Sequence, residues 1–252
     1  MDFVFMLTRD DRTVTDCLHV LDSVRELGIT HIGFKDVGVD PTTLRRLHTQ
    51  IRDLGATSYL EVVSTTREQA LDSVRAAADL GVDQLMGGTW VDETLALLSG
   101  TPIRYLPFVG EPLGHPTRLA GDPARIAADC RRAEAAGCAG VDLLAHRATE
   151  ADPLDLVRAA RAATTGRLVV AGAITTDAQI HALAEAGADA FTVGSAAFAG
   201  TVRPAAGGLA AQLTAVLAAA GRPARRHGPS GARPGPWGER AGQLRDPLTL
   251  EG

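Results

Sequence analysis

One joint recurs along this chain. Five times a helix-period segment ends in Leu-Gly or Ala-Gly, and an apolar stretch starts two or three residues later. The copies are Leu27-Gly28-Ile-Thr-His-Ile, Leu54-Gly55-Ala-Thr-Ser-Tyr, Leu80-Gly81-Val-Asp-Gln-Leu, Ala136-Gly137-Cys-Ala-Gly-Val and Ala186-Gly187-Ala-Asp-Ala-Phe. Glycine stands where a helix C-cap needs left-handed backbone, and the residues after it favour a strand. Each copy therefore predicts a helix passing into a strand. Further strands are expected at residues 3–7, 103–108 and 168–171, which brings the number to eight. Eight strands alternating with helices predict a (β/α)8 TIM barrel. A doubly wound open sheet shares the alternation but needs fewer strands, and no G-x-G-x-x-G follows the first strand here.

The helical stretches carry apolar residues at three- and four-residue spacing over 14–27, 41–54, 68–80, 123–136, 153–163 and 177–186, with a last one over 207–220. Thr13 or Thr15 is placed to cap the first. Pro41, Pro123 and Pro153 each follow an aspartate, putting a capping carboxylate and then proline at the first helical position. With 45% hydrophobic and only 4% aromatic residues, the core should be aliphatic, in one domain over 1–220. From 221 to 252 the chain is rich in proline, glycine and arginine without an apolar period, the composition of a disordered tail.

Composition also excludes functions. The net charge is −5, and basic residues are scattered among acids without interleaved aromatics, which speaks against nucleic acid. No apolar run approaches the roughly 18 residues of a membrane span, and the start lacks secretory features, so a soluble cytoplasmic protein is expected. Cys17, Cys130 and Cys138 have neither disulfide-framework nor metal-site spacing. Homo-oligomerisation is compatible with a barrel of this size.

Lys35 is the only lysine, against 24 arginines. It ends the apolar run His31-Ile-Gly-Phe-Lys35, and Glu61 holds the matching position in the next strand. Guanidinium stays protonated at any working pH, whereas a partly desolvated amine can serve as acid, base or nucleophile. In a barrel of this type working residues lie at the C-terminal strand ends and the loops that follow. Those ends carry Asp10 and Asp11 after strand one, Gly88 after strand four, Glu111 and His115 after strand five, and Asp142, His146 and Arg147 on and after strand six. Lys35, Glu61, Asp142 and His146 sit in or beside apolar strands, where an unpaired charge is costly. Strands seven and eight end in Gly172-Ala173-Ile and Gly194-Ser195-Ala. Glycines there let backbone amides approach a dianion, and Ser195 adds a hydroxyl, so these four residues predict a phosphate cradle.

Over 168–199 the chain resembles the ribulose-phosphate-binding barrels, which include N-acylmannosamine-6-phosphate epimerases and the aminoimidazole-carboxamide ribotide isomerases of histidine synthesis. The resemblance rests on Ala171-Gly172-Ala-Ile, Leu183-Ala-Glu-Ala-Gly187-Ala and Val193-Gly194-Ser195-Ala. It implies that Gly172, Gly194 and Ser195 bind substrate phosphate. The catalytic patterns of those enzymes do not carry over. The isomerases have an aspartate ending strand one within an apolar strand and another on strand five, whereas here strand one ends Thr-Arg-Asp-Asp and strand five has no internal aspartate. The epimerases have a lysine on strand three and an acid on strand seven, whereas here the lysine is on strand two and Ala173 falls at the acid's place.

The expectation is a cofactor-independent isomerase, epimerase or aldolase-type lyase of carbohydrate metabolism, acting on a small phosphorylated sugar or related carbonyl compound. Lys35 would form a Schiff base or act as general acid or base with Glu61, and His146 or His115 would move the second proton. Asp10, Gly88, Asp142 and Arg147 would contact substrate. Two alternatives stand beside it. One is a divalent-metal enzyme using Asp142 and His146, with Glu61 and His115 as further ligands; the other is a non-catalytic phosphometabolite-binding protein.

Overall fold

The computed structural model describes residues 1–221. Eight parallel strands close into the predicted barrel: β1 (Asp2–Met6), β2 (His31–Lys35), β3 (Thr57–Val62), β4 (Gln84–Gly87), β5 (Arg104–Leu106), β6 (Gly140–Leu143), β7 (Arg167–Val170) and β8 (Ala190–Val193). They pair in chain order. β1 also pairs with β8, Phe3 opposite Phe191 and Phe5 opposite Val193. Lys35 on β2 stands opposite Glu61 on β3, as the aligned sequence runs imply. Pro107 lacks an N–H and ends β5 early, yet its carbonyl still accepts from the Asp142 amide at 2.8 Å. Val109 N–H returns a bond to Asp142 O at 3.2 Å, and with the Ala139 N–H bond to Tyr105 O at 2.9 Å these close the cylinder between β5 and β6.

Among the described residues the helices are α1 (Cys17–Ser23), α2 (Pro41–Asp53), α3 (Arg67–Leu80), α4 (Val91–Leu98), α5 (Pro123–Ala135), α6 (Pro153–Ala163), α7 (Asp177–Glu185), α8 (Ser195–Phe198) and α9 (Leu209–Ala219). The three Asp-Pro starts behave as read. Asp40, Asp122 and Asp152 each accept backbone N–H groups of the first turn, with proline at the first helical position. At the other end of a helix, Gly81 takes φ 71° and closes α3 in the left-handed conformation. The first helix departs from expectation. It spans only Cys17–Ser23, and neither threonine caps it, because residues 8–13 form a short hairpin and the Thr13 hydroxyl is engaged by Lys35. A second hairpin, Glu111–Leu113 with Arg118–Ala120, replaces the irregular loop expected after β5. Helix α4 had no counterpart among the expected helices. The tail expected over 221–252 lies outside the described residues, apart from Gly221.

Packing inside the cylinder follows the period-two alternation of strands. Gly33 on β2 leaves room for its β1 neighbour Met6: a Cβ at Gly33 would lie 2.3 Å from the Met6 sulfur. The N-terminal end of the barrel is plugged by polar groups. There Arg167 Nη2 donates to Asp2 Oδ2 at 2.9 Å, and His31 Nδ1 lies 3.1 Å from the Tyr59 hydroxyl. In this architecture that end serves stability. Cys17 and Cys130 are buried, and burial pushes the Cys130 thiol up to about 12, far from a reactive thiolate. Among the described residues no helix is long and apolar enough to cross a membrane.

Candidate functional site

A cavity of about 830 Å³ opens at the C-terminal end of the barrel. Its charged floor is built by the hairpin after β1. That hairpin pairs Thr8 with Thr13 and Arg9 with Arg12, leaving a two-residue turn, Asp10-Asp11. Both turn residues have positive φ, 50° and 58°. Such turns match strand twist and favour Asn, Asp or Gly, whose side chains tolerate left-handed backbone. The turn carries Asp11 into the barrel mouth. Thr13 then fixes the hairpin to β2: its hydroxyl accepts from Lys35 N–H at 2.8 Å and donates to Lys35 O at 2.9 Å.

Lys35 is 4% exposed, and its ammonium sits between two carboxylates. Nζ donates to Asp11 Oδ1 at 2.8 Å and lies 3.2 Å from Glu61 Oε2. Burial alone would depress its pKa. The charges of Glu61 and Asp11 outweigh that and hold it above the ordinary lysine value, so Lys35 is an ammonium at neutral pH. Burial likewise pushes the Asp11 carboxyl up, but Arg147 and Lys35 overcome it and keep it well below the usual carboxylate range. Arg147 grips Asp11 in a fork, Nη1 to Oδ2 at 2.6 Å and Nη2 to Oδ1 at 2.7 Å. Thr117 N–H adds a bond to Asp11 Oδ2 at 2.8 Å, and Arg147 Nη1 donates to Thr117 O at 3.0 Å. The second hairpin is thereby tied to the same cluster.

Arg147 also joins this cluster to the turns after β7 and β8. Gly172 has φ 78°, and a Cβ there would fall 2.2 Å from Arg147 Nε, so the backbone comes close only because no side chain intervenes. The Gly172 amide donates to Thr192 Oγ1 at 3.4 Å, and Ser195 Oγ accepts from Asp10 N–H at 3.2 Å. Gly194 packs on the first hairpin, where a Cβ would stand 2.7 Å from Thr8 Oγ1. The first amides of α8 have no intrahelical acceptor. Helix α7 is different: Thr176 and Gln179 form a capping box that consumes its first donors. Gly172, Ala173, Gly194 and Ser195 all line the cavity that holds Lys35.

The other residues singled out from sequence are placed unequally. Glu61, His115 and Arg147 line the cavity, His115 from its exposed rim. Asp10 faces solvent and contributes only its amide. Gly88 lines a neighbouring hollow. His146 turns away from the cavity: its Nδ1 lies 3.3 Å from Gln179 Nε2 at the start of α7, and burial lowers its pKa. Consecutive positions in the short turn Ala145–Arg147 send Arg147 inward and His146 outward. Asp142 is fully buried, does not line the cavity, and neither carboxylate oxygen has a hydrogen-bond partner. Burial, and then the charge of Glu61, raise its pKa well above the ordinary value, which favours its protonated form. With Asp142 inside the barrel and His146 outside it, the two do not meet as a ligand pair. Among the described residues no group of three or more His, Cys, Asp or Glu side chains could hold a metal ion.

Thr117 was not singled out from the sequence, Thr13 was expected only as a helix cap, and Asp11 was noted at the end of strand one without a role in the site. The available signal was the Asp-Asp pair between two Thr-Arg or Arg-Thr dipeptides, a two-residue hairpin turn that aims its second aspartate across the mouth.

A family model described as histidine biosynthesis protein matches residues 111–204, less than half of the chain. No curated protein matches. Among solved structures, a "Native KDPGal structure" aligns at TM-score 0.60 and 14% identity over 87% of this chain and 96% of the other. Tryptophan synthase from M. tuberculosis aligns at TM-score 0.60 and 18% identity over 89% and 93%. FabK from Thermotoga maritima aligns at TM-score 0.53 and 14% identity over 77% of this chain, which spans 58% of the FabK chain. At these identities the likeness establishes the barrel fold. The family match contains the glycine turns after β7 and β8 and agrees with the resemblance to the ribulose-phosphate-binding barrels.

Proposed function

We propose that this chain is an enzyme that binds a small phosphorylated carbonyl compound and shifts a proton next to its carbonyl, as an isomerase or epimerase. The observation that carries this reading is the placement of one ammonium, two carboxylates and two glycine turns around a single cavity. Phosphate would rest on the amides after Gly172 and Gly194 and on the Ser195 hydroxyl. Its far end would then lie over Lys35. In the reaction, the Glu61 carboxylate takes the proton from the carbon beside the carbonyl, and the C–H electron pair becomes the C=C bond of an enolate. The carbonyl π pair moves to oxygen, where the Lys35 ammonium stabilises it by hydrogen bonding or proton transfer. Return of the proton to the opposite face of the same carbon gives the epimer. Where that carbon bears a hydroxyl, the enolate oxygen is protonated, the hydroxyl loses its proton as its oxygen becomes the new carbonyl, and the carbon proton returns to the former carbonyl carbon to give the isomer. Asp11, neutralised by Arg147, fixes the position of Lys35.

Aldol-type cleavage through a Schiff base is the second reading, favoured by the same lysine lying inside the cavity. It needs a neutral amine, so Lys35 would have to lose a proton to Asp11 or Glu61 before attack. Because there is one lysine, borohydride reduction in the presence of substrate separates the readings: a mass increase at Lys35 marks the Schiff base, and turnover without an adduct marks proton transfer.

The test of the main reading is a panel of sugar phosphates screened by thermal shift, with hits assayed for turnover and for uptake of deuterium from heavy water. Wild type should incorporate deuterium beside the carbonyl. Glu61→Gln and Lys35→Arg should lose at least about 100-fold in rate, the usual weight of a positioned proton-transfer group, while still binding phosphate ligands. Ligands that bind and return unchanged from wild type after long incubation would instead make this a metabolite-binding protein.

A further inference from the structure

The main cavity has an uncharged neighbour. A hollow of about 280 Å³ lies over the ends of β3, β4 and β5, its apolar wall made by Val62, Val63, Trp90, Phe108, Pro112 and Leu113 and its remainder by small uncharged residues including Ser64, Thr65 and Thr89. It shares Gly114 and Thr117 with the main cavity, so the two chambers open side by side with the second hairpin between them. That wall is held in place, because Thr117 is bonded through its backbone to Asp11 and Arg147. The chambers differ in chemistry. Asp11, Lys35, Glu61, Arg118 and Arg147 reach the main cavity, while no charged side chain lines the smaller one. Leu113, 37% exposed, is the large hydrophobic side chain left open to water among the described residues, and it stands on the rim of this hollow.

We infer that the substrate has two arms, a phosphate-bearing carbonyl arm in the charged chamber and an uncharged apolar arm, ring-sized, in the hollow beside Leu113. The inference rests on the phosphate reading above and narrows it from sugar phosphates in general to phosphorylated carbonyl compounds bearing an apolar substituent. Size permits it: a cavity of roughly 150 Å³ lined by apolar side chains is enough for benzene. Leucine exposed to water at a ligand mouth gains by being covered, whereas a purely polar sugar would leave it and the hollow unused.

Calorimetric titration of the full chain with propyl phosphate and with 3-phenylpropyl phosphate tests this. The aryl ligand should bind about tenfold tighter or more, as expected for burying several apolar carbons. Leu113→Asp should erase that difference, Leu113→Met should keep it, and the aryl ligand should alter an indole emission that Trp90→Phe abolishes. Equal affinities in wild type would overturn the inference and leave the phosphate reading standing. An aryl advantage untouched by Leu113→Asp would also overturn it, since the ring would then sit elsewhere. Failure of both ligands to bind would overturn the phosphate reading and the inference with it.

Discussion

At the scale of single residues, the site is a balance of charges in a place where imbalance is costly. Lys35 and Arg147 face Asp11 and Glu61, two cations against two anions, and burial biases Asp142 towards its uncharged form. This has a consequence for stability. A carboxyl whose pKa is higher in the folded than in the unfolded chain contributes stability that is complete below the unfolded value, about 3.9, and is lost as the pH rises through the folded value. Asp142→Asn, neutral and of the same shape, is free of that loss. We predict that its melting temperature gains on wild type steadily as the pH is raised from about 4 to 8. A difference that does not change with pH would mean that Asp142 is ionised in the fold. Gly172 supplies a second residue-scale prediction. Gly172→Ala puts a methyl group against Arg147 at positive φ, so it should weaken the binding of inorganic phosphate by about tenfold and cost more than about 1 kcal/mol of stability. Unchanged phosphate affinity by calorimetry would separate this turn from anion binding.

At the scale of elements, the barrel strands and their order were legible because glycine C-caps and apolar runs are local signals. The Asp-Pro starts of α2, α5 and α6 were legible for the same reason. Asp40→Ala should cost about 1 kcal/mol in denaturant melts through loss of its bonds to the first turn of α2, with phosphate binding unchanged because α2 packs outside the barrel. A larger cost, or a change in binding, would show that this cap does more than end a helix. Less legible were the two hairpins, since each is made of strands of only two or three residues. Such strands are stabilised by what they dock onto, and that partner lies far away in sequence. Thr13 meets Lys35 and Thr117 meets Asp11 only once the barrel has closed. The same distance explains His146 and Asp142. A charged residue at the end of an apolar strand flags burial or function, but which way it turns is set by the barrel's curvature and the following 3-10 turn. Lys35 and Glu61 could be paired in advance because parallel register places them opposite each other.

At the scale of the whole molecule, the two ends of the barrel divide the work. The N-terminal end is closed by polar side chains, among them the paired Arg167 and Asp2, and the C-terminal end gathers the charges around open space. Arg147 spans that space, bonded to Asp11 on one side and packed over Gly172 on the other, so ligand at the glycine turns and the state of the lysine are physically linked. The single lysine makes this link directly observable. With lysine alone carrying nitrogen-15, the protein has one side-chain amine to detect by NMR, and it can be followed through a titration with inorganic phosphate. The account predicts an ammonium signal that persists beyond pH 9 and shifts saturably as phosphate fills the turns. A neutral amine at pH 7, or a signal indifferent to phosphate that calorimetry shows to be bound, would contradict it.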